Sequence, residues 1–365
     1  MVTSSPRFIR SAVFSVFVLI APVLCAATAF AGDGPERVVA VGDLHGDYGA
    51  FEDVMSRAGL IGPDGAWTGG ETVLVQMGDV AGRGPDTLKI LRALKRLKIE
   101  AAKAGGDLIA LVGNHEAMQM AGDVRYVHPG EWASYARDGE DELYTTFFDR
   151  NRSRLSQLLA PDGEGNDGSA SSRFAEMESR FRAAFPPGYA GHRTAWSQAG
   201  EVGAWVVENP AAVILGDTLF VHGGLSAPYA EHTIERLNAE TREALLAQTN
   251  DRSAIVWDQY GPQWYRGLNR EPGQRTEFPG GWELTVEEET ALVLENFGVA
   301  RIVIGHTPHL EGIKAMHDGR VIQIDTGMSA YYGGARSFLE ITPAGVFAND
   351  NGVVRQIRAP IKNVP

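Results

Sequence analysis

The strongest constraint in this sequence is a short apolar run that ends abruptly in residues suited to bind metal. Val38–Val41 contains three β-branched residues and predicts a buried strand, which Gly42 terminates. Asp43 and His45 follow directly. Because residues i and i+2 of an extended segment point to the same side, both side chains can reach one metal ion. The carboxyl end of a strand is also the usual location of an α/β active site.

Two further strands repeat this design and alternate with helices. Residues 72–77 and 107–112 are apolar runs that lead into Gly78-Asp79 and Gly113-Asn114-His115-Glu116. Residues 47–60 and a segment that begins at Pro85 carry apolar residues at helical spacing. The resulting β-α-β-α-β order predicts a parallel sheet with right-handed crossovers. All three polar ends then lie at one edge of that sheet.

The later part of the chain adds strands of the same kind. Strands are predicted at 211–215, 218–221 and 300–304, and the last two lead into His222-Gly223-Gly224 and Gly305-His306-Thr307-Pro308. Helices are predicted at 232–248 and 285–297, a short strand at 255–257, and a polar loop at 267–281. Short alternating runs at 321–324 and 338–341 predict antiparallel strands of a second sheet.

The stretch from about 117 to 210 breaks the strand–helix alternation. It is rich in arginine, glutamate and aromatic residues, with helical patterns near 141–159 and 172–185 and a Gly/Asp/Ser loop at 161–172. We interpret it as a cap inserted near the active edge of a single domain, 32–365. The alternative is a surface insertion without a role in the site, since loops over such sites vary widely.

The polar strand ends together offer more metal ligands than one ion needs. Aspartate, asparagine and histidine without any thiolate favour Mn, Fe, Zn or a pair of these over a structural zinc site. We therefore predict two ions bridged by one carboxylate. Asp79 is the natural bridge, because it follows the central strand of the first three.

Several motifs of this sequence together resemble those of a known family. The ordered motifs G-D-L-H-G, G-D-V-A-G-R-G, G-N-H-E, H-G-G and G-H-T are similar to those of the calcineurin-like metallophosphoesterases. More narrowly, they resemble the phosphoprotein phosphatase branch and its Shewanella-like protein phosphatases. The resemblance runs from Val38 to about Tyr332, with the cap excepted. It implies an α/β fold, a metallophosphatase-type β-sandwich of two mixed sheets flanked by helices (αββα) with an inserted cap segment.

The resemblance also implies roles for single residues. Asp43, His45 and Asp79 would hold the first ion, and Asp79, Asn114, His222 and His306 the second. A water activated by the ions would attack phosphorus in line, and His115 would protonate the leaving oxygen. Arg83 and Arg266 would bind the phosphate and assist catalysis, since guanidinium groups match phosphate geometry. Tyr331 and Tyr332 would close the pocket, with simple aromatic packing as the alternative, and Asn114 would also contact substrate.

One position departs from the family pattern. Relatives usually carry an acid directly before the arginine of the second motif, and that acid orients the histidine of the third. Here the position is Gly82. His115 therefore lacks its expected carboxylate partner. Among the other histidines, His309 lies three residues after His306, but Pro308 redirects the chain there, so we favour a role other than metal ligand, with a ligand role as the alternative. Four more are expected to be surface or hydrogen-bonding residues: His128, His192, His232 and His317.

The N-terminal segment predicts export. Arg7 and Arg10 precede an apolar run from Ala12 to Phe30, and Ala29-Phe30-Ala31 fits a signal-peptidase site, so residues 1–31 are predicted to be a signal peptide. The protein would then be periplasmic or secreted, without a stable membrane association; an uncleaved membrane anchor is the alternative. The mature chain would contain no cysteine, since Cys25 is removed.

Charge narrows the choice of partner. Removal of the signal leaves 31 basic and 46 acidic residues, a net charge of −15, which argues against nucleic acid as a ligand. The predicted substrate is a phosphorylated protein, for which phosphotyrosine is one candidate, or a small phosphomonoester. The alternatives are a dinucleoside polyphosphate or nucleotide hydrolase, and an inactive protein that binds metal or phosphopeptide.

Overall fold

The computed structural model describes residues 34–136, 138–140, 142, 144–146, 148–150, 153 and 170–357. The predicted signal peptide lies outside these residues and stays a prediction. Among the described helices, none has both the length and the apolar composition that a bilayer span requires.

The first sheet contains the three predicted parallel strands and three strands from the C-terminus. Its order is β13-β12-β11-β1-β2-β3. The three N-terminal strands are parallel, as predicted, and β11 pairs antiparallel to β1 with Val38 opposite Ile341. The bounds are β1 Val38–Val41, β2 Val73–Gln76, β3 Asp107–Ala110, β11 Ser337–Thr342, β12 Gly345–Asp350 and β13 Val353–Ile357.

The second sheet has the order β4-β5-β8-β10-β9. Its central strands β5, β8 and β10 are parallel. The bounds are β4 Ala212–Leu215, β5 Thr218–Val221, β8 Arg301–Ile304, β9 Lys314–Met316 and β10 Val321–Gln323. The prediction that the C-terminal runs are antiparallel strands of a second sheet is confirmed in part, because β10 pairs antiparallel with β9 and β11 pairs antiparallel with β1 and β12. It is wrong in two respects. β10 is parallel to β8, and β11 belongs to the first sheet.

The two sheets pack face to face around an apolar core. Val38 and Ala40 of β1 belong to the same buried cluster as Phe220 of β5, Val303 of β8 and Ile322 of β10. The alternate residues of these strands, such as Val39, belong to a second cluster shared with the helices. Both faces of the central strands are therefore covered, which explains their continuous apolar runs.

Helices cover the outer faces of the sheets. Asp47 caps the first helix by accepting the Ala50 N–H at 2.8 Å, and a Thr285–Glu288 capping box begins the last one. The bounds are α1 Tyr48–Arg57, α2 Thr87–Lys103, α3 Asn114–Ala121, α4 Pro129–Ala133, α5 Ala170–Ala184, α6 Tyr189–Ala195, α7 Gly203–Val206, α8 Ala227–Ala230, α9 Ile234–Ala247 and α10 Val286–Phe297.

The segments between the sheets differ in part from the predictions. The described residues from 114 to 206 are helical or turn, and α5 matches the predicted helix at 172–185; most of the predicted 141–159 helix and the 161–172 loop lies outside the described residues. The predicted strand at 255–257 is a turn. The predicted loop at 267–281 contains a short 3₁₀ helix, Gly267–Asn269, and the strand β6 Arg275–Phe278, which forms a hairpin with β7 Trp282–Thr285 just after the predicted loop.

Candidate metal centre and active site

The site is built from loops that follow five strands, three in one sheet and two in the other. β1, β2 and β3 deliver Asp43, His45, Asp79, Asn114 and His115, while β5 and β8 deliver His222 and His306. All seven side chains are buried. The backbones of His45, Asp79 and His306 adopt positive φ angles of 45°, 51° and 67°. Non-glycine residues rarely do so, and such strain concentrates at functional sites.

One group of potential ligands surrounds Oδ2 of Asp79. His45 Nε2 lies 3.9 Å from this oxygen and 3.9 Å from Asp43 Oδ2. His115 Nε2 also lies 3.9 Å from Asp79 Oδ2. Ligand atoms of His45, Asp79 and His115 all fall within 4.8 Å of one another, so His115, predicted as an acid, also lies within reach of an ion here.

A second group surrounds the other oxygen of the same carboxylate. His222 Nε2 lies 3.4 Å from Asp79 Oδ1 and 3.1 Å from Asn114 Oδ1. The ligand atoms of Asp79, His222 and His306 fall within 4.8 Å of one another. Asp79 thus directs one oxygen into each group, as a bridging carboxylate must.

The hydrogen bonds fit a cation in the second group. His222 Nδ1 lies 2.8 Å from the Met77 carbonyl and donates its proton there, so a neutral His222 would turn its Nε2 lone pair toward two oxygens. His306 Nε2 is buried without a hydrogen-bond partner. Lone pairs that face each other need a positive charge between them, and a metal ion with N/O ligands supplies it.

Close packing around Asp79 also requires a glycine. A Cβ on Gly113 would lie 2.2 Å from Asp79 Oδ1 and 2.4 Å from the Asp79 nitrogen. Gly113 lets the His115 N–H donate to Asp79 Oδ1 at 2.9 Å. The glycine before Asn114 is therefore part of the site's geometry and not merely a strand terminator.

Buried carboxylates make the site strongly electronegative. Burial, together with the charges of Asp325 and Asp79, raises the pKa of Asp43 well above its usual range. Burial likewise raises the pKa of Asp325 to about 6. Burial alone would raise the pKa of Asp79 too, but His222 and His115 hold it well below its usual range. Crowded acids of this kind are relieved by bound cations.

The two predicted arginines lie on the open side of this cluster. The Arg83 guanidinium carbon is 3.9 Å from the ring centre of Tyr126 and 4.9 Å from that of Tyr331. Its Nη1 donates to the Tyr331 hydroxyl at 3.3 Å, and its Nε has no partner. Arg266 is exposed. Its positive charge opposes the burial that raises the pKa of Asp325, and it adds to the burial and the His222 charge that lower the pKa of His306.

Both predicted tyrosines border the same opening. The Tyr332 ring lies 5.3 Å from that of His45 and 4.8 Å from that of Tyr331. Tyr331 is 58% exposed, so its ring is available to a ligand. The structure therefore brings every residue of the predicted site together.

Sequence reasoning missed three acids that support the site. Glu116 accepts the backbone N–H groups of Asp79, Gly113 and Ala81 at 2.8, 2.9 and 3.0 Å. Asp325 follows strand β10 as Asp43 follows β1, and this signal could have revealed it. Asp47 accepts the Ala330 N–H at 2.7 Å and so holds the tyrosine loop against the start of α1.

The remaining histidines lie outside the two ligand groups. His309 Nδ1 hydrogen bonds to the Gly312 carbonyl at 2.8 Å. His192 is completely buried, where a surface or hydrogen-bonding residue was predicted; its Nε2 donates to Gln119 Oε1 at 2.9 Å. The aromatic rings of Trp132, Tyr135 and Trp196 pack around its imidazole.

Comparison with known proteins decides the family. The model of the calcineurin-like phosphoesterase family matches residues 36–310. The chain belongs to this family. It is 33% identical over 324 residues to an uncharacterized protein of Schizosaccharomyces pombe, covering 84% of this chain and 78% of that protein. It is 32% identical over 308 residues to the Shewanella-like protein phosphatase 2 of Arabidopsis thaliana, covering 81% and 72%.

Solved structures show the same fold. The cold-active protein-tyrosine phosphatase of a Shewanella species superposes with a TM-score of 0.62 at 24% identity, covering 90% of this chain and 82% of that one. The predicted family and the predicted sandwich of two mixed sheets flanked by helices are thus confirmed. The metallophosphoesterase is a metal-dependent phosphatase of the Shewanella-like type.

Proposed function

We propose that this metallophosphoesterase uses two metal ions to hydrolyse phosphomonoesters, and that phosphotyrosine in proteins is its substrate. The observation that carries the two-ion proposal is the position of Asp79. Its oxygens lie 3.9 Å from His45 Nε2 on one side and 3.4 Å from His222 Nε2 on the other. A single carboxylate between two sets of ligands is the arrangement that paired-metal phosphatases need.

The first ion would be held by Asp43, His45 and Asp79, and the second by Asp79, Asn114, His222 and His306. When bound, the ions supply a water of lowered pKa and neutralise charge on the phosphoryl group. Nitrogen and oxygen donors without thiolate favour Mn, Fe or Zn.

The chain's own residues would orient the phosphate and complete the reaction. Arg83 and Arg266 hold the non-bridging oxygens, because their guanidinium groups present parallel N–H donors. As the attacking water forms its bond to phosphorus, the phosphorus–oxygen bond to the alcohol or phenol leaving group breaks. His115 donates a proton to that leaving oxygen.

The aromatic border supports an aryl phosphate as substrate. Tyr331 flanks Arg83, and Tyr332 lies deeper, beside His45. A phenyl ring entering between these side chains would gain offset or edge-to-face contacts of about 0.5–1.5 kcal/mol per pair. A small phosphoserine side chain would reach the ions without filling this space. The phosphotyrosine specificity named for the Shewanella structure is consistent with this border.

A substrate panel tests the proposal. Protein prepared without metal and then supplied with Mn²⁺, Fe²⁺ or Zn²⁺ should hydrolyse p-nitrophenyl phosphate, and EDTA should abolish the activity. Phosphotyrosine peptide should exceed the matched phosphoserine peptide in kcat/KM by at least about tenfold, which corresponds to about 1.4 kcal/mol. Equal rates on both peptides would overturn the substrate assignment, and preferred cleavage of diadenosine tetraphosphate would replace it. Metal analysis should give two ions per chain.

The proton-donor role of His115 has a separate signature. His115→Asn should reduce kcat on an alkyl phosphate by about 10²–10⁴-fold, because an alkoxide leaves poorly without a proton. The loss on p-nitrophenyl phosphate should be much smaller, since nitrophenolate is a good leaving group. Metal content should remain at the wild-type value. Equal losses on both substrates, or loss of an ion, would instead make His115 a ligand.

A further inference from the structure

The residue that orients His115 is not evident from the sequence. A histidine that transfers a proton needs one ring nitrogen held by an acceptor and its ring plane fixed. The family pattern assigns this task to an acid at the position of Gly82. The surroundings of His115 show which groups stand in its place.

Gly82 leaves no room for a side chain. Its φ is +78°, a conformation that favours glycine. A Cβ at this position would lie 2.5 Å from His115 Nδ1 and 3.3 Å from the Tyr126 carbonyl oxygen. The imidazole therefore occupies the space that an acid side chain would need, and its Nδ1 faces the backbone of this loop.

The backbone of Ala81 fixes the loop that carries Gly82. The Ala81 carbonyl lies at hydrogen-bond distance from His45 Nδ1, 3.3 Å away. The same residue is held on its other side, because the Ala81 N–H donates to Glu116 Oε1 at 3.0 Å. His115 Nε2 points to the ligand cluster, 3.9 Å from Asp79 Oδ2.

An aromatic ring fixes the plane of the imidazole. The ring of Tyr126 stacks on His115 with centres 5.1 Å apart and planes 19° apart. His45 packs on the same imidazole edge-on, at 4.7 Å and 64°. Tyr126 is itself held by Arg83. The backbone carbonyl of Tyr126 accepts the backbone N–H of Arg83 at 2.8 Å, and its ring centre lies 3.9 Å from the Arg83 guanidinium carbon.

We propose that Tyr126 is a positioning residue that replaces the missing acid, and that this arrangement requires glycine at position 82. Tyr126 aligns His115 with the leaving oxygen and holds Arg83 toward the phosphate. The inference rests on the proton-donor role proposed for His115. His115 is then oriented by the aromatic ring of Tyr126, which lies in the segment after α3.

Substitution of Gly82 distinguishes this proposal from the family arrangement, in which an acid at this position orients the histidine. If an acid were merely absent, Gly82→Asp would raise kcat on an alkyl phosphate. We expect Gly82→Asp and Gly82→Ala to lower it at least about tenfold, because a Cβ displaces the imidazole. Gly273→Ala is the matched control: Gly273 has a φ of +79° and open space where a Cβ would stand. A gain of activity in Gly82→Asp would overturn the proposal.

Substitution of Tyr126 tests the ring. Tyr126→Leu should lower the ratio of alkyl to aryl phosphate kcat about tenfold or more, whereas Tyr126→Phe, which keeps the ring, should lower it far less. This ratio is measured within one preparation, so it does not depend on the folded fraction. Tyr126→Leu should also raise KM for both substrates through Arg83. Tyr229→Leu, another half-buried tyrosine, should leave the ratio unchanged. An unchanged ratio in Tyr126→Leu would overturn the proposal.

A spectroscopic measurement on the metal-free protein is independent of turnover. Ring stacking shields the His115 ring protons, whose signals are assigned by their loss in His115→Asn. Tyr126→Leu should shift these signals downfield, and Tyr126→Phe should retain their upfield positions. Signals that do not move would contradict the stacking role. If His115→Asn shows no preference for aryl phosphate, the proposed function of His115 fails; if it does while Tyr126→Leu does not, only this inference fails.

Discussion

At the scale of single residues, the site depends on acids that bind no substrate. Glu116 is buried and uses both carboxylate oxygens to accept three backbone N–H groups from the loops that carry Asp79 and Asn114. Burial, and next the charge of Asp79, raises its pKa to about 7. Its charge therefore depends on the cations around it, and its hydrogen bonds fix the position of the bridging carboxylate.

Glu116→Gln should weaken metal binding although it replaces no metal ligand. An amide has one acceptor oxygen, so its NH₂ group would face one of the N–H donors that Glu116 now accepts. We expect metal affinity to fall about 10–100-fold, as for other groups that orient ligands. Calorimetric titration of the metal-free protein with Mn²⁺ measures this. An unchanged affinity would show that the loop keeps its geometry without the carboxylate.

At the scale of elements, four helices meet in a buried polar cluster behind the site. Thr87 of α2 donates to Glu131 Oε2 of α4 at 2.9 Å. His192 of α6 lies 3.7 Å from Glu131 Oε1 and donates to Gln119 of α3 at 2.9 Å. Because α3 begins with Asn114 and His115, this cluster connects the helical segment to the catalytic loop.

Glu131→Gln should change how stability depends on pH. Burial raises the pKa of Glu131 to about 8, against an ordinary value of 4.5. The folded state therefore holds a proton that the unfolded chain releases above pH 4.5, so stability falls as pH rises toward 8. Glutamine mimics the protonated acid. At pH 8 the variant should be more stable than wild type, by on the order of 4 kcal/mol, and near pH 4.5 about equal.

Urea unfolding at pH 5 and pH 8 measures this difference. Glu295→Gln, which replaces an exposed acid on α10, serves as the control and should follow the wild-type pH curve. Parallel curves for Glu131→Gln and wild type would mean that Glu131 is ionised in the folded protein.

The same elements show what sequence can predict. The strands before Asp43, Asp79, Asn114, His222 and His306 were predictable, because an apolar run, a glycine and a polar residue are all local signals. Which sheet β11 joins was not predictable, because an alternating apolar pattern identifies a strand but not the strand with which it pairs. The contact between Tyr126 and His115 was equally hidden, because an aromatic residue in a turn carries no sign of what it stacks on. His192 forms a hydrogen bond, one of the two roles predicted for it, but its burial was hidden for the same reason, because it depends on three distant aromatic rings.

At the scale of the whole molecule, the candidate metal centre joins the two sheets. Asp43, His45, Asp79 and Asn114 come from the six-stranded sheet, whereas His222 and His306 come from the five-stranded sheet. Without cations, the facing edges bring buried acids together, and burial raises the pKa values of Asp43 and Asp325. Bound ions would neutralise these acids and connect the two halves of the sandwich.

Metal should therefore stabilise the fold as well as the reaction. An ion that binds only the native state at 100 times its Kd adds about 2.7 kcal/mol to the free energy of unfolding. We expect Mn²⁺ to raise the thermal midpoint of the metal-free protein and EDTA to reverse the change. Asp79→Asn should lose most of this shift, because one substitution removes a ligand from both groups. His232→Asn, a histidine paired with Glu240 outside the site, should keep the full shift. A midpoint that does not respond to metal in the wild-type protein would mean that the two sheets do not share a cation.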